Sequence, residues 1–253
     1  SERAYRELRE LVPPDHPQRL DAIQYLAINL GDAGRFEEAI PMLREAIERR
    51  TEILGYDHPR TLGVRLSLAV FYLQQRDYAQ GEVELKSMLE PVASQFGEDS
   101  AMMMRVRNNL GGALRQQGKI EEAGPHYEFA YQHALRQHGQ SHRLTLMSRH
   151  NHANWLLDAG QVQQALDEQR ACLELTMELL GPDHDITAEV LRGLGLAQIA
   201  SQDLPGARQS LERSLAIKRS IYGDNPRPLA RVNEAFTLLE AAEQQPPGVV
   251  DLE

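Results

Sequence analysis

Nine histidines, one cysteine and three lysines are the side chains of this 253-residue chain whose types and spacing could support chemistry near neutral pH. Six of the histidines fall between 126 and 152, a density at which a zinc site would be sought. Zinc needs three or four converging ligands. His126 and His133 are seven apart and share a helix face, whereas His150 and His152 are two apart and cannot. His16, His58, His142 and His184 recur at one fixed position, where an imidazole reads as a capping or turn-stabilising group. Cys172 falls in line with Ala46 and Ala130, a packing position rather than a nucleophile, and one cysteine gives neither an intrachain disulfide nor a cysteine-rich metal site. Gly112-x5-Gly118-Lys119 approaches a phosphate-binding loop, but it is one residue too long and has Ile120 where Ser or Thr should stand. Gly-x-Ser-x-Gly and His-Glu-x2-His are both missing from the sequence. The pairs Glu37-Glu38 and Glu121-Glu122 read as solvated first turns of helices, where the helix dipole favours acidic groups. The expectation is a chain that is not an enzyme and holds neither cofactor nor metal.

Composition narrows the partners. A net charge of -10 argues against nucleic acid, whose phosphates require a basic face. No apolar run reaches the length of a membrane span, and the N-terminus lacks a signal-peptide pattern, so a cytoplasmic location is expected, or a periplasmic one if the full-length protein carries a span elsewhere. Apolar residues make up 42% of the chain, enough for a core. Ala, Leu, Gln, Glu and Arg dominate, which favours helices. Only Lys86, Lys119 and Lys218 are lysines among 27 basic residues, an arginine bias that points to a GC-rich bacterial genome.

What must position any functional residue is a repeat. Gly55, Gly97, Gly139, Gly181 and Gly223 are each 42 residues from the next. Ile53-Leu54-Gly55-Tyr56-Asp57-His58-Pro59 returns as Leu179-Leu180-Gly181-Pro182-Asp183-His184. A strict period of this size means stacked similar units, none of which buries its apolar face alone. Each period holds two helical patterns. Ile23, Leu26, Ala27 and Leu30 form one apolar helix face, Gly34 ends that helix, and Phe36, Ala39, Leu43, Ala46 and Ile47 mark the next. Ala39, Gly81, Ala123, Ala165 and Ala207 share one column, where small residues let two antiparallel helices approach.

The motifs Leu-Ala-x6-Gly-x-Phe-x2-Ala at 26–39 and Leu-Gly-x-Asp-His-Pro at 54–59 resemble the tetratricopeptide repeat, in the 42-residue variety of kinesin light chains and many bacterial signalling proteins. The resemblance covers roughly residues 1–242. It implies an all-α fold, a right-handed superhelical solenoid of antiparallel helix pairs. Residues 1–243 are read as that solenoid, five full repeats between two half-repeats and twelve helices in all, with 244–253 as a C-terminal tail. The chain opens on a second helix, since Ala4, Tyr5, Leu11 and Val12 align with Ala46, Ile47, Ile53 and Leu54. Such an opening suggests a fragment of a longer protein or a cap.

In a tetratricopeptide stack the first helices line the concave side. The stripe opposite their buried face is apolar in the second full repeat (Leu66, Val70, Leu73) and polar in the next two. It carries Arg105, Asn108, Asn109, Arg115 and Gln116, then His150, Asn151, Asn154 and Asp158, and the fifth repeat adds Glu189 and Arg192. Carboxamides can pair with both N–H and C=O of an extended peptide, and arginines can hold acidic groups bidentately. Asn109 and Asn151 match the asparagine that precedes Leu-Ala in kinesin-light-chain-like repeats, which that family uses to grip peptides; Tyr25, Ser67 and Gly193 replace it elsewhere. The functional expectation is a noncatalytic interaction scaffold that holds a partly acidic protein or peptide segment through Arg105, Asn108, Asn109, Arg115, His150, Asn151, Asn154 and Arg192. The alternative is a regulatory or sensor module of a larger signalling enzyme, such as a bacterial serine/threonine kinase or a signal-transducing ATPase.

Overall fold

A computed structural model describes residues 10–244. Most of the opening half-repeat and the tail beyond Gln244 therefore lie outside the described residues. Among those described there are twelve numbered helices and no strand: α1 (Pro17–Asp32), α2 (Phe36–Leu54), α3 (Pro59–Gln74), α4 (Tyr78–Ser87), α5 (Leu89–Phe96), α6 (Ala101–Gln116), α7 (Ile120–His138), α8 (Arg143–Asp158), α9 (Val162–Leu180), α10 (Asp185–Ala200), α11 (Leu204–Tyr222) and α12 (Pro226–Glu243). They form two compact units, one ending at Phe129 and the other beginning at Ala130. Within each, a helix packs chiefly on its neighbours in sequence.

The repeat punctuates these helices by identifiable chemistry. The recurring histidines are N-caps: Nδ1 of His16, His58, His142 and His184 accepts the backbone N–H two residues on, at 3.3, 3.2, 3.2 and 3.1 Å. Ser100 caps α6 by accepting the N–H of Met103, three residues on, and Asn225 caps α12 by accepting that of Arg227, two residues on. Such a bond satisfies one of the free donors of a helix start. His184→Ala is therefore expected to lower stability by about 1 kcal/mol, and His184→Asn, which keeps an acceptor, to recover most of it. Chemical denaturation of both variants checks this, and equal losses would rule out the cap.

Second helices stop at the predicted glycines, with φ of 97°, 90°, 77°, 93° and 61° at residues 55, 97, 139, 181 and 223. At Gly55 φ 97° combines with ψ 158°, the mirror-extended region that only glycine occupies readily, and not the left-handed turn that commonly closes a helix. Thr61 and Thr187 brace two of these corners by donating to the carbonyls of Gly55 and Gly181 at 3.0 and 2.8 Å. Between first and second helices, Arg76 and Gln202 adopt φ of 63° and 65° where other repeats have glycine.

One second helix departs from the expected count. That of the second full repeat is broken at Met88 into α4 and α5. Pro91 lies in its middle and cannot donate to the carbonyl of Ser87, against which its ring also clashes. Pro41 and Pro125 sit nearer the starts of α2 and α7, which continue through them.

Cores form where the small columns meet. Ala39, Ala123, Ala165 and Ala207 are fully buried. A Cβ on Gly81 would come within 2.5 Å of Leu73, and one on Gly195 within 2.8 Å of Leu211 and 3.4 Å of the Ala207 carbonyl. Helix backbones thus touch at the positions the spacing marks.

Candidate functional site

In the first unit the residues singled out from the sequence lie on α6. Arg105 is exposed, and Asn108, Asn109 and Arg115 are half-buried. Asn109 turns its Nδ2 back onto the Arg105 carbonyl at 3.0 Å, one helical turn earlier. The second hydrogen of that amide and its Oδ1 are left for a ligand, so a donor and an acceptor both remain. Arg105 makes no ion pair among the described residues, so its guanidinium faces solvent with all its donors. Asn108 and Arg115 are engaged in contacts of their own.

In the second unit the residues expected on an open stripe are largely enclosed. His150 and Asn154 are 8% and 4% exposed, and Gln169, from α9, is 1% exposed. The three close a ring of hydrogen bonds. Asn154 Nδ2, which can only donate, lies 3.0 Å from His150 Nε2, so that nitrogen accepts and the ring proton sits on Nδ1. His150 Nδ1 then donates to Gln169 Oε1 at 3.1 Å, and Gln169 Nε2 donates to Asn154 Oδ1 at 3.2 Å. This arrangement spends on one another the groups expected to meet a ligand. Gly193, which stands where other repeats have asparagine, has a packing reason: a Cβ there would lie 2.5 Å from Gln169 Nε2 and 2.8 Å from His150 Cε1. Asn151 is half-buried and engaged.

Arg192 is likewise committed. Its Nε donates to Glu189 Oε2 at 3.2 Å, and Glu189 also pairs with Lys218 at 2.7 Å, which holds Asp185 at 2.7 Å as well. Burial pushes the Glu189 carboxyl up, but the charges of Arg192 and Lys218 outweigh it and hold the group at about 2. Lys218 is 6% exposed; burial pulls its pKa down, and the two carboxylates bring the net result above the usual lysine value. The first unit has a parallel in Glu82, which accepts from Lys86, Lys119 and Gln117, each at 2.7 Å. All three lysines of the chain are thus bound to carboxylates.

Sequence reasoning passed over Gln169 and these ion clusters, which join residues far apart in the chain. It also passed over arginines in a core column. Arg65, Arg107 and Arg149 stand at the register of Ile23 and Leu191, and a charged side chain at a position assigned to the apolar face was a readable signal. Cys172 is fully buried, donates to the Leu146 carbonyl at 3.3 Å and has its thiol pushed up to about 11 by burial, which disfavours a thiolate. Among the described residues no group of three or more His, Cys, Asp and Glu side chains converges as a metal site, and no helix is long and apolar enough to cross a membrane.

Comparison with known proteins bears on what such a stack is. No curated protein matches the sequence significantly. Among solved structures, BtubC (BKLC) from P. vanneervenii shares 22% identity over 88% of this chain and 89% of its own, with a TM-score of 0.69. The nearly identical TPR-like repeats of a Podosopora anserina protein assigned as a kinesin light chain share 21% over 82% and 97%, at 0.67. A Rap protein complexed with Competence and Sporulation Factor shares 12% over 94% and 68%, at 0.71. Profiles described as tetratricopeptide repeat match residues 19–60, 102–175 and 146–220, together more than half of the sequence. With the 42-residue period, the helix pairs and the small crossing columns, this match places the chain in the tetratricopeptide repeat family.

Proposed function

We propose that this chain is a noncatalytic scaffold that holds an extended, partly acidic segment of a partner along the exposed face of its first helices. The observation that carries the reading is Arg105, an exposed guanidinium without a protein partner among the described residues, set one turn from the free Oδ1 of Asn109. A guanidinium so placed offers two parallel donors to a carboxylate, and the amide oxygen offers an acceptor to a peptide N–H. The Rap protein of similar fold, seen in complex with Competence and Sporulation Factor, lends the reading support at the level of the fold. His150, Asn154 and Arg192 take a different part from the one their spacing suggested. His150 and Asn154 are bonded to each other and to Gln169, and Arg192 to Glu189, so they hold the surface of the second unit in place. Asn151 adds to the polar stripe there, while Asn108 and Arg115 add to that of the first unit.

The test is titration against a library of acidic and neutral peptides. Arg105→Glu is expected to weaken binding by about tenfold or more, through lost attraction and added repulsion. Asn109→Ala should have a smaller effect. Wild-type affinity should fall as salt rises, because exposed charges are screened. Glu37→Lys, on the exposed face of a second helix, should bind like wild type. Undiminished binding by Arg105→Glu, with loss in Glu37→Lys, would place the partner on the second helices instead.

A further inference from the structure

Because the fold repeats, the same position can be compared in two settings. Arg65 on α3 and Arg107 on α6 stand 42 residues apart in one column. Arg65 is enclosed; its Nε and Nη2 are served, while its Nη1 has no hydrogen-bond partner. Its Nε donates to Glu84 Oε1 at 2.7 Å, its Nη2 donates to Ser87 Oγ at 2.7 Å, and its guanidinium lies 3.9 Å from the centre of the Tyr56 ring.

One period later the positions of Glu84, Ser87 and Tyr56 are taken by His126, Phe129 and Glu98. Arg107 keeps an aromatic contact, 4.4 Å from the centre of the Phe129 ring. It has no carboxylate in the place of Glu84. Arg107 Nε and His126 Nδ1 are both buried without a hydrogen-bond partner, although Arg107, His126 and Phe129 as residues are only half-buried. Buried polar groups in native proteins are almost always hydrogen-bonded. Two such groups side by side, in a column where the preceding repeat supplies a carboxylate, define the chemistry that fits.

We propose that Arg107, His126 and Phe129 form an anion site in the first unit, which takes from a ligand or a partner side chain the carboxylate that Glu84 supplies to Arg65 from within the chain. The guanidinium edge and the imidazole Nδ1–H face the carboxylate oxygens, and the Phe129 ring backs the guanidinium. A single carboxylate group suits the charge: one guanidinium and a neutral imidazole would leave a phosphate dianion, with both charges on one group, undercompensated, whereas a dicarboxylate can present one carboxylate and keep the other in water. The surrounding charges do not change this balance. Lys86 is held by Glu82 at 2.7 Å and reaches Glu122 at 3.5 Å, and Glu98 is exposed. Burial, then the charges of Arg107 and Lys86, hold the His126 pKa below its usual value against the pull of Glu122. A bound carboxylate would reverse that direction.

The experiment follows the His126 ring signal by NMR at constant ionic strength. Succinate and a glutamate-containing hexapeptide are titrated separately, with chloride as the reference. The expected result is a saturable His126 shift, with its titration midpoint rising by about one pH unit, and loss of both in Arg107→Met. A response to succinate alone identifies a small-molecule source, and a response to the peptide alone a side-chain source; either supports the site. His126→Glu supplies the carboxylate from within the chain. It is expected to raise Tm by about 2–4 °C and to remove the thermal stabilisation that succinate gives wild type over chloride. That second arm decides the matter if Arg107→Met does not fold. No saturable shift with either probe, an identical shift in Arg107→Met, or equal succinate stabilisation in wild type and His126→Glu overturns the proposal.

Discussion

Glu82→Gln and Glu189→Gln are each expected to destabilise the protein by about 3 kcal/mol at pH 7, and by only about half of that at pH 3. Both carboxyls sit at about 2 against an ordinary 4.5. Burial pushes each of them up. Lys119, Lys86 and Gln117 overcome it at Glu82, and Arg192 and Lys218 do so at Glu189. The side chains are 10% and 26% exposed, so solvent screens these pairs far less than it screens surface ones. The sign follows from the depressed folded values. The contribution is complete above about 4.5, where the unfolded carboxylate is ionised, and is lost as pH falls through about 2. Glutamine mimics the protonated acid, so the gap between variant and wild type must close along the same path. Because the two clusters lie in different units, native-state hydrogen exchange is the appropriate measurement: Glu82→Gln should lower protection in α4 and α6, and Glu189→Gln in α10 and α11. A gap that is as wide at pH 3 as at pH 7 would show that the ion pairs contribute nothing.

The parts of the molecule legible in the sequence are those set by local chemistry repeated five times. Helix faces, the glycine stops and the histidine caps all depend on residues a few positions apart, so a 42-residue period prints them again and again. The small columns at 39 and its equivalents were readable for the same reason. What escaped depends on residues brought together from different helices. His150 looked like an open stripe residue because spacing on α8 says nothing of Gln169 on α9, whose amide closes over it. Gly193 looked like a missing asparagine, whereas the space its side chain would need is filled by those same two residues. The break at Met88 was available in Pro91, but the strength of the period argued for an uninterrupted helix. Arg65, Arg107 and Arg149 show the limit from the other side. Each sits in a column that periodicity assigns to the core, and only the second helix opposite reveals what their charge meets.

Ala165→Leu is expected to cost about 3 kcal/mol, and Ala123→Leu a comparable amount in the other unit, near the upper end for overpacking. Ala165 and Ala153 are both fully buried and stand at the crossing of α8 and α9. The equivalent crossing of α10 and α11 shows how little space there is, since a Cβ on Gly195 would already lie 3.4 Å from the Ala207 carbonyl. Leucine adds three carbons at such a contact. Leu156, Leu166, Leu194 and Ala197 enclose it, so room can come only from moving one helix off the other. Ala165→Gly is the useful control: it removes a methyl without forcing the helices apart and should cost about 1 kcal/mol, chiefly through helix propensity. Because repeats are stabilised by their neighbours, the leucine variant should lose exchange protection in α8, α9 and α10 together, where the glycine variant loosens α9 most. Unchanged melting in both leucine variants would mean that the small column is not where the paired helices touch.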